Sequence, residues 1–172
     1  MQIGNHVGDR DLDEEQLVWA AKGYWYAQHD PQILPDGNIL MFDNRGNFNM
    51  PGGASRALQF DPRTMAITWQ YAGTESSPLE SAIRSYATRL PNGNTLITES
   101  NGGRILEVTP GGEIVWEFVN PVRGGPDGKI PIICKAYRPD EQFTAVFEKK
   151  TDPARKAVAY DDSGGAGNQH GD

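Results

Sequence analysis

The sequence has too few cysteines and histidines for the usual ways of cross-linking a domain or loading it with metal. Cys134 is the single cysteine among 172 residues, so no disulfide can form within the chain. Three histidines, at positions 6, 29 and 170, are too scattered to complete a four-ligand zinc site with it. No run of aspartate, asparagine and glycine has the spacing of a calcium loop. We therefore expect no metal and no cofactor.

Long apolar runs and an excess of positive charge are also missing. No stretch of about 18 apolar residues is present, so no membrane-spanning helix is expected. The formal net charge is −7, and a nucleic-acid partner is not expected because phosphate binding needs a basic patch. The first ten residues lack the apolar core of a signal peptide. The 20 glycines and 12 prolines instead suit many short strands joined by turns.

Three segments of the chain recur further along it. The offsets between the copies are 56, 48 and 47 residues, because two loops are longer in the first copy. The recurring pairs are residues 34–38 and 90–94, residues 56–60 and 104–108, and residues 67–71 and 114–118. Self-similarity at about 40–50 residues is typical of repeat architectures such as propellers.

Each copy alternates tight turns with short strands. Pro-Asp-Gly-Asn and Pro-Asn-Gly-Asn are turn sequences, since glycine and asparagine tolerate positive φ. Apolar or β-branched strands follow at residues 39–42 and 95–98, and alternating strands at 104–108 and 113–119. No segment has a helical period. The sequence therefore predicts an all-β fold.

The repeat length and strand count predict a partial β-propeller of four-stranded antiparallel blades. Two complete blades are expected at residues 26–73 and 81–120, with flanking strands of neighbouring blades at 16–20 and 132–137. Closed propellers have about 4–8 blades, so the chain is a C-terminal piece or receives blades from another chain. Open blade edges then favour self-association. The expected domains are an acidic leader at 1–15, the partial propeller at 16–148 and a disordered tail at 149–172.

Residues 28–44, with the sequence Gln-His-Asp-Pro-Gln-Ile-Leu-Pro-Asp-Gly-Asn-Ile-Leu-Met-Phe-Asp-Asn, resemble the bacterial arylsulfotransferase family. Residues 89–97 and 104–121 are similar to it too, and Lys-Ala-Tyr-Arg at 135–138 resembles the element that opens the family's closing blade. The resemblance covers residues 17–140, in the family's order, and corresponds to the C-terminal portion of its propeller.

This resemblance implies a transferase that moves a sulfuryl group from a phenolic sulfate ester to a phenol without a nucleotide donor. The implied fold is a propeller with its site at the central channel, and the implied location is periplasmic or extracellular. In the family, a histidine takes the sulfuryl group covalently, assisted by further histidines and an arginine. A neutral imidazole is a good nucleophile near pH 7, and arginine offers sulfate oxygens a planar fork of donors.

The resemblance makes His29 the candidate catalytic residue, which binds the sulfuryl group or transfers a proton. Arg45, Asn44 and Lys135 are the candidate substrate-binding residues, although the family's usual arginine position falls nearer Asn47 or Phe48. The structural alternatives are that His29 caps a turn, Arg45 is an exposed loop charge, Asn44 forms a turn and Lys135 is a solvated side chain.

One departure from the family lies at residues 132–136, Ile-Ile-Cys-Lys-Ala, where its nucleophilic histidine is expected and none is found. Cys134 is there instead, either as a thiolate nucleophile or as a buried packing residue. The predicted function is thus arylsulfotransferase-like, whether active, inactive or truncated. The alternatives are a non-catalytic propeller that binds a protein or glycan, and an inert fragment.

Aromatic residues have packing and binding interpretations. Trp69 and Trp116 fall at equivalent places in the two copies, so both are predicted to be packing residues. Tyr24, Trp25 and Tyr26 precede His29, where they could line a pocket for a phenolic ring or fill the space between blades.

Overall fold

A computed structural model describes residues 6–11, 13–45 and 55–139 of the chain. Contacts divide the chain into two units, Met1–Arg138 and Pro139–Asp172, and every strand below belongs to the first. The strands are β1 (His6–Arg10), β2 (Leu17–Lys22), β3 (His29–Ile33), β4 (Ile39–Asp43), β5 (Arg56–Phe60), β6 (Ile67–Tyr71), β7 (Gly73–Thr74), β8 (Ser77–Pro78), β9 (Tyr86–Arg89), β10 (Thr95–Glu99), β11 (Arg104–Val108) and β12 (Ile114–Val119). The described ranges contain no helix, and hence none that could cross a bilayer.

Two four-stranded antiparallel sheets form the bulk of the unit. Strands β3 to β6 make the first sheet and β9 to β12 the second, each in chain order. The two sheets coincide with the two sequence repeats. Because the described ranges contain strands and no helix, the all-β prediction is confirmed. The first hairpin of each sheet has the same kind of turn, in which Gly37 and Gly93 have φ values of 82° and 86°. This left-handed backbone explains why each copy has glycine there.

The two sheets are stacked face to face through a shared apolar layer. Trp69 packs at the margin of this layer, and its indole N–H donates to the Pro110 carbonyl at 3.0 Å. The buried side chains of the layer are Leu34, Leu40, Phe42, Ala57, Tyr71, Leu79, Ala87, Ile97, Leu106 and Val108. Burial of this layer supplies the main driving force that joins the two repeats.

The opposite face of the first sheet is covered by the β1–β2 hairpin. Trp25 stacks near Phe60 with ring centroids 4.8 Å apart, and Trp19 packs at the edge of the same cluster. The other buried members are Val7, Ile39, Met41 and Leu58. Strand β2 occupies the place of the predicted flanking strand, whereas β1 lies within the segment that the sequence indicated as an acidic leader.

The far face of the second sheet has no such sheet over it among the described residues. Trp116 is 45% exposed there, unlike its counterpart Trp69, so its prediction as a packing residue is wrong for the described part of the chain. The difference follows from position, because the second sheet covers this face of the first, whereas no further sheet in the described ranges covers the second.

Residues 132–137 do not form the predicted strand. They run extended along the far face of the second sheet, where Ile133 N–H donates to the Ser100 carbonyl at 3.3 Å and Ala136 N–H to Thr98 Oγ1 at 3.0 Å. A side-chain hydroxyl and one carbonyl make no ladder, so a strand is not established. The predicted tail at 149–172 lies outside the described residues.

A buried carboxylate–arginine pair occurs at the same place in both sheets. Arg56 Nε lies 3.0 Å from Asp43 Oδ2, and Arg104 Nε lies 2.5 Å from Glu99 Oε2. In each sheet the two residues face each other across the second and third strands. We call them the clamp pairs. Each carboxylate is at most 2% exposed, so each depends on its arginine for compensation of its charge.

Each clamp pair also holds the chain that enters its sheet. Asp43 accepts the Tyr26 N–H at 3.0 Å, and Arg56 donates to the Tyr24 carbonyl at 2.8 Å. In the second sheet Glu99 accepts the Glu80 N–H, and Arg104 donates to the Pro78 carbonyl at 2.9 Å. The positions correspond at an offset of 54 residues, so the repeat extends to the loops.

We expect Arg104→Met to lower the free energy of unfolding by about 3–5 kcal/mol, because it leaves the Glu99 carboxylate buried without a counter-charge. Urea denaturation measures the change. Arg63→Met is the matched control, since the Arg63 side chain is 82% exposed and solvent screens its pair with Asp61, so the substitution should change the free energy of unfolding far less. Equal effects of the two substitutions would contradict the structural role of the clamp pairs.

The second sheet contains another buried carboxylate besides Glu99. This is Glu107, which is hydrogen-bonded to the first turn of the same sheet. Its Oε1 accepts from Asn94 Nδ2 at 2.7 Å and from Asn92 Nδ2 at 3.0 Å, and its Oε2 lies 2.5 Å from Arg138 Nη2. The hydrogen bonds from Asn94 and Asn92, followed by the positive charge of Arg138, lower the pKa of Glu107 despite its burial.

Because that pKa is lowered on folding, the contribution of Glu107 to stability is fully present above the ordinary glutamate value of about 4.3 and is lost as pH falls through the folded-state pKa. We expect the difference in unfolding free energy between wild type and Glu107→Gln to narrow from pH 7 to pH 3. Denaturation at both values checks this. Glu113→Gln removes the same charge at an exposed site. If the difference in unfolding free energy between wild type and Glu107→Gln is the same at pH 7 and pH 3, the ionised carboxylate and its hydrogen bonds are not the source of that difference.

Candidate functional site

The candidate residues lie at the end of the sheets where β3 and β9 begin. His29 is the first residue of β3, and Asn44 and Arg45 directly follow β4. Lys135 comes from the extended segment after the second sheet. The turns at Gly37 and Gly93 close the opposite end, so the chain direction alone puts these residues on one side of the molecule.

His29 is held by two hydrogen-bond acceptors at one ring nitrogen. Its Nδ1 lies 2.8 Å from Asn44 Oδ1 and 3.0 Å from the Ala27 carbonyl oxygen. The amide of Asn44 is oriented by its other end, where Nδ2 donates to the Ser81 carbonyl at 2.7 Å. The oxygen of Asn44 therefore faces the histidine. With acceptors on both sides, Nδ1 carries the proton, and the lone pair of the neutral ring is at Nε2.

Asn44 is fully buried and fixed by a network of serine hydroxyls. Ser55 Oγ donates to the Asn44 carbonyl at 2.8 Å and accepts the Ser81 N–H at 2.9 Å. Ser85 Oγ donates to Ser81 Oγ at 2.7 Å, and Ser85 and Ser100 exchange two N–H···Oγ bonds at 2.9 Å. The network joins the end loops of the two sheets, so the position of His29 depends on both.

Lys135 is joined by an ion pair to Asp30, the residue that follows His29. Its Nζ is 2.9 Å from Asp30 Oδ2, and the two side chains are 21% and 22% exposed. Gln32 Nε2 donates to the same oxygen at 2.8 Å, and Lys135 Nζ lies 4.7 Å from the centroid of the Tyr86 ring. The solvated alternative for Lys135 is therefore wrong, since its side chain is partly buried and its ammonium group lies against Asp30 and the rings of Tyr86 and Tyr137.

Short sequence matches align Asp30, Tyr86 and Lys135 with one another. The Pro35–Pro91 offset of 56 residues aligns Asp30 with Tyr86, and the shared Ala-x-Arg at 87–89 and 136–138 aligns Tyr86 with Lys135. In the structure, Lys135 contacts both of the residues that align with it. Sequence reasoning missed Asp30 and Tyr86, although this alignment was available to find them.

Two arginines lie on loops at the same end of the sheets as His29. Arg45 is exposed, its Nε donates to the Ala82 carbonyl at 3.2 Å, and its backbone N–H donates to the Tyr26 carbonyl at 2.9 Å. Arg84 is also exposed, and its Nη1 lies 3.2 Å from Cys134 Sγ. Cys134 is itself exposed, so the prediction of a buried packing cysteine is wrong. Asn47 and Phe48, where the family's arginine was expected, lie outside the described residues.

Non-glycine residues with positive φ are concentrated in these loops. Ala27 and Asp30 flank His29 with φ values of 55° and 52°, and Arg84 and Ser85 have values of 57° and 71°. Such conformations cost about 1–3 kcal/mol each and persist where the surroundings hold them, commonly at functional sites. Here the surroundings are the clamp pairs and the serine network.

Other features of the described residues lie elsewhere. They contain no group of three or more histidine, cysteine and acidic side chains that could hold a metal ion. An open pocket of about 310 Å³ lies at the opposite end of the first sheet and is lined by Ile33, Gly37 and Pro62 among others. In the aromatic cluster, Trp25 is 5% exposed and fills the core, whereas Tyr24 and Tyr26 are exposed.

Comparison with known proteins identifies a family. No curated protein matches the sequence. A crystal structure of a protein of unknown function from Bacteroides caccae is similar over 62% of this chain, with a TM-score of 0.38 and 16% sequence identity. The similarity covers 36% of that protein, so this chain spans well under half of its length. The sequence model of the arylsulfotransferase (ASST) family matches residues 11–121, almost two thirds of the 172 residues. The chain therefore belongs to the arylsulfotransferase (ASST) family.

Proposed function

We propose that this chain transfers a sulfuryl group from a phenolic sulfate ester to a phenol, without a nucleotide donor, and that His29 moves the proton. The observation that carries the proposal is the arrangement at its Nδ1, where Asn44 Oδ1 and the Ala27 carbonyl both accept. This leaves Nε2 as the basic nitrogen of the neutral ring. A positioned imidazole with this tautomer suits general acid–base catalysis near neutral pH.

In the proposed step, Nε2 of His29 takes the hydroxyl proton of the acceptor phenol as the phenol oxygen attacks sulfur. The new S–O bond forms while the S–O bond to the donor phenolate breaks. The imidazolium then gives the proton to the departing phenolate oxygen. Both acceptors at Nδ1 stabilise the imidazolium while it exists. The products are the donor phenol and the sulfate ester of the acceptor, so atoms and charge balance.

The remaining candidates take different parts in this proposal. Arg45 binds sulfate oxygens from the loop after β4, where its guanidinium is exposed. Lys135 adds positive charge that Asp30 partly neutralises. Asn44 acts as a positioning residue for His29, since its Nδ2 is engaged with the Ser81 carbonyl.

We further propose that the two sheets are neighbouring blades of a partial β-propeller. Face-to-face stacking of like sheets and the contact of Lys135 with both Asp30 and Tyr86 support it, because blades arranged around an axis bring aligned positions of neighbouring copies together. Residues 132–138 then begin a third blade. In this arrangement residues 16–148 belong to the propeller and residues 149–172 form a tail.

A non-catalytic binding module is the second candidate, and the histidine-free segment at 132–136 favours it. Cys134 and Lys135 occupy that segment, and Lys135 is paired with Asp30. Such a protein would retain an aryl sulfate in the same place without turning it over.

We expect the full chain to transfer sulfate from 4-nitrophenyl sulfate to phenol, and His29→Ala to lower kcat by about 10²–10⁴. Release of 4-nitrophenol and formation of phenyl sulfate measure the reaction. His6→Ala is the control, because His6 is exposed at the start of β1. Binding of the ester without turnover in the wild type would favour the binding module over the enzyme.

Asn44→Ala should lower kcat with little change in KM, since it removes one hydrogen bond to the charged imidazolium. Such bonds are worth about 1.5–3 kcal/mol, which corresponds to a loss of roughly 10- to 100-fold. Asn44→Asp keeps an oxygen for Nδ1 and should retain more activity. The pH profile of kcat should move in Asn44→Ala, and a thermal melt shows whether the buried site still folds. Unchanged kcat and pH profile in a folded Asn44→Ala would contradict the positioning role.

A further inference from the structure

We propose that Arg84 binds the sulfate group of the substrate beside His29; this inference rests on the proposed function and assigns a further residue to that site. Neither the spacing of the family's motifs nor the sequence candidates pointed to Arg84. Its case rests on its position, the availability of its charge and the backbone that presents it.

The loop that carries Arg84 contacts the residues around His29. On one side, Ser81 accepts from Asn44, which holds His29, and Ala82 accepts from Arg45. Arg84 follows these residues by only two or three positions.

On the other side, the Arg84 guanidinium contacts Cys134. The next residue is Lys135, whose Nζ contacts Asp30, and Asp30 follows His29 in the chain. Two separate chains of contact therefore lead from Arg84 to the histidine, one through the Asn44–Ser81 hydrogen bond and one through Cys134, Lys135 and Asp30. Arg84 and His29 thus belong to one connected group of loops, and this is where we place the sulfate group.

The charge of Arg84 is available to a ligand because no carboxylate among the described residues pairs with it in the structure. Arg56 and Arg104 are engaged with buried carboxylates, and Lys135 with Asp30. Among the described residues, the hydrogen-bond partner of the Arg84 side chain is a thiol, which is a weak acceptor. A guanidinium with weak partners keeps its planar fork for an oxyanion, and two N–H groups match two oxygens of a sulfate ester.

The backbone at Arg84 has an unusual conformation that fixes the direction of its side chain. Arg84 and Ser85 both have positive φ, and the paired N–H···Oγ bonds between Ser85 and Ser100 hold the turn in that shape. An exposed charge that only needed solvent would not require two consecutive strained residues. The turn instead fixes where the Arg84 side chain leaves the surface, as preorganised anion binding requires.

Titration calorimetry of the full chain with 4-nitrophenyl sulfate tests this. We expect Arg84→Gln to weaken binding by about tenfold or more, and Arg84→Lys to weaken it less. Binding of 4-nitrophenol, which lacks the sulfate, should be the same in all three proteins. Arg63→Gln is the matched control, because Arg63 is an exposed arginine at the opposite end of the first sheet.

The outcomes separate this inference from the proposed function. Arg84-dependent binding without turnover would support the sulfate site and overturn the enzyme. Turnover with unchanged affinity in Arg84→Gln would support the enzyme and overturn the role of Arg84. A wild type that neither binds nor transfers would overturn both.

Discussion

The clamp pairs are the constraint on which the rest of this structure depends. In each sheet one buried carboxylate joins the second strand to the third through an arginine, and both partners also hold the incoming chain. A buried charge without a partner is costly, so the pair forms only when strand register and loop conformation are both correct. The two repeats thus share a device that couples sheet formation to the shape of one end of the sheet.

That end is where the candidate site lies. Asp43 fixes the Tyr26 N–H, and the Arg45 N–H in turn donates to the Tyr26 carbonyl. The backbone between Tyr26 and His29 therefore has little freedom, and the positive φ of Ala27 is maintained. The serine network then adds the second sheet as a support for Asn44. The position of the His29 imidazole consequently depends on the folding of both sheets, and not on its own loop alone.

Much of the fold could be predicted from the sequence because its signals are local. Turn residues such as Gly37 and Gly93, and short apolar runs beside them, identify hairpins without knowledge of distant partners. Contacts between remote positions could not be predicted so easily. Lys135 and Asp30 are 105 residues apart in the chain, and nothing in either local segment indicates their ion pair.

The same distinction explains the errors. Trp116 was assigned from its equivalence to Trp69, but equivalence in the repeat does not include a covering neighbour. The cysteine was expected inside on the base rate for its residue type, whereas its exposure is set by the unpaired segment that carries it. The family resemblance pointed to His29, whose role as a site residue stays a prediction. The repeat alignment could have pointed to Asp30, whereas the contact of Arg84 with Cys134 required the loop geometry.

A modular consequence follows from the repeated pair. Since each sheet contains its own carboxylate and arginine, a duplicated copy of the gene segment brings with it everything needed to shape its end loop. Asp30, Tyr86 and Lys135, which meet through the Lys135 side chain, belong to neither clamp pair. A change of residue at these aligned positions therefore leaves both buried carboxylate–arginine pairs in place, so an acid, a phenol and an amine can occupy them without loss of the sheets that carry them.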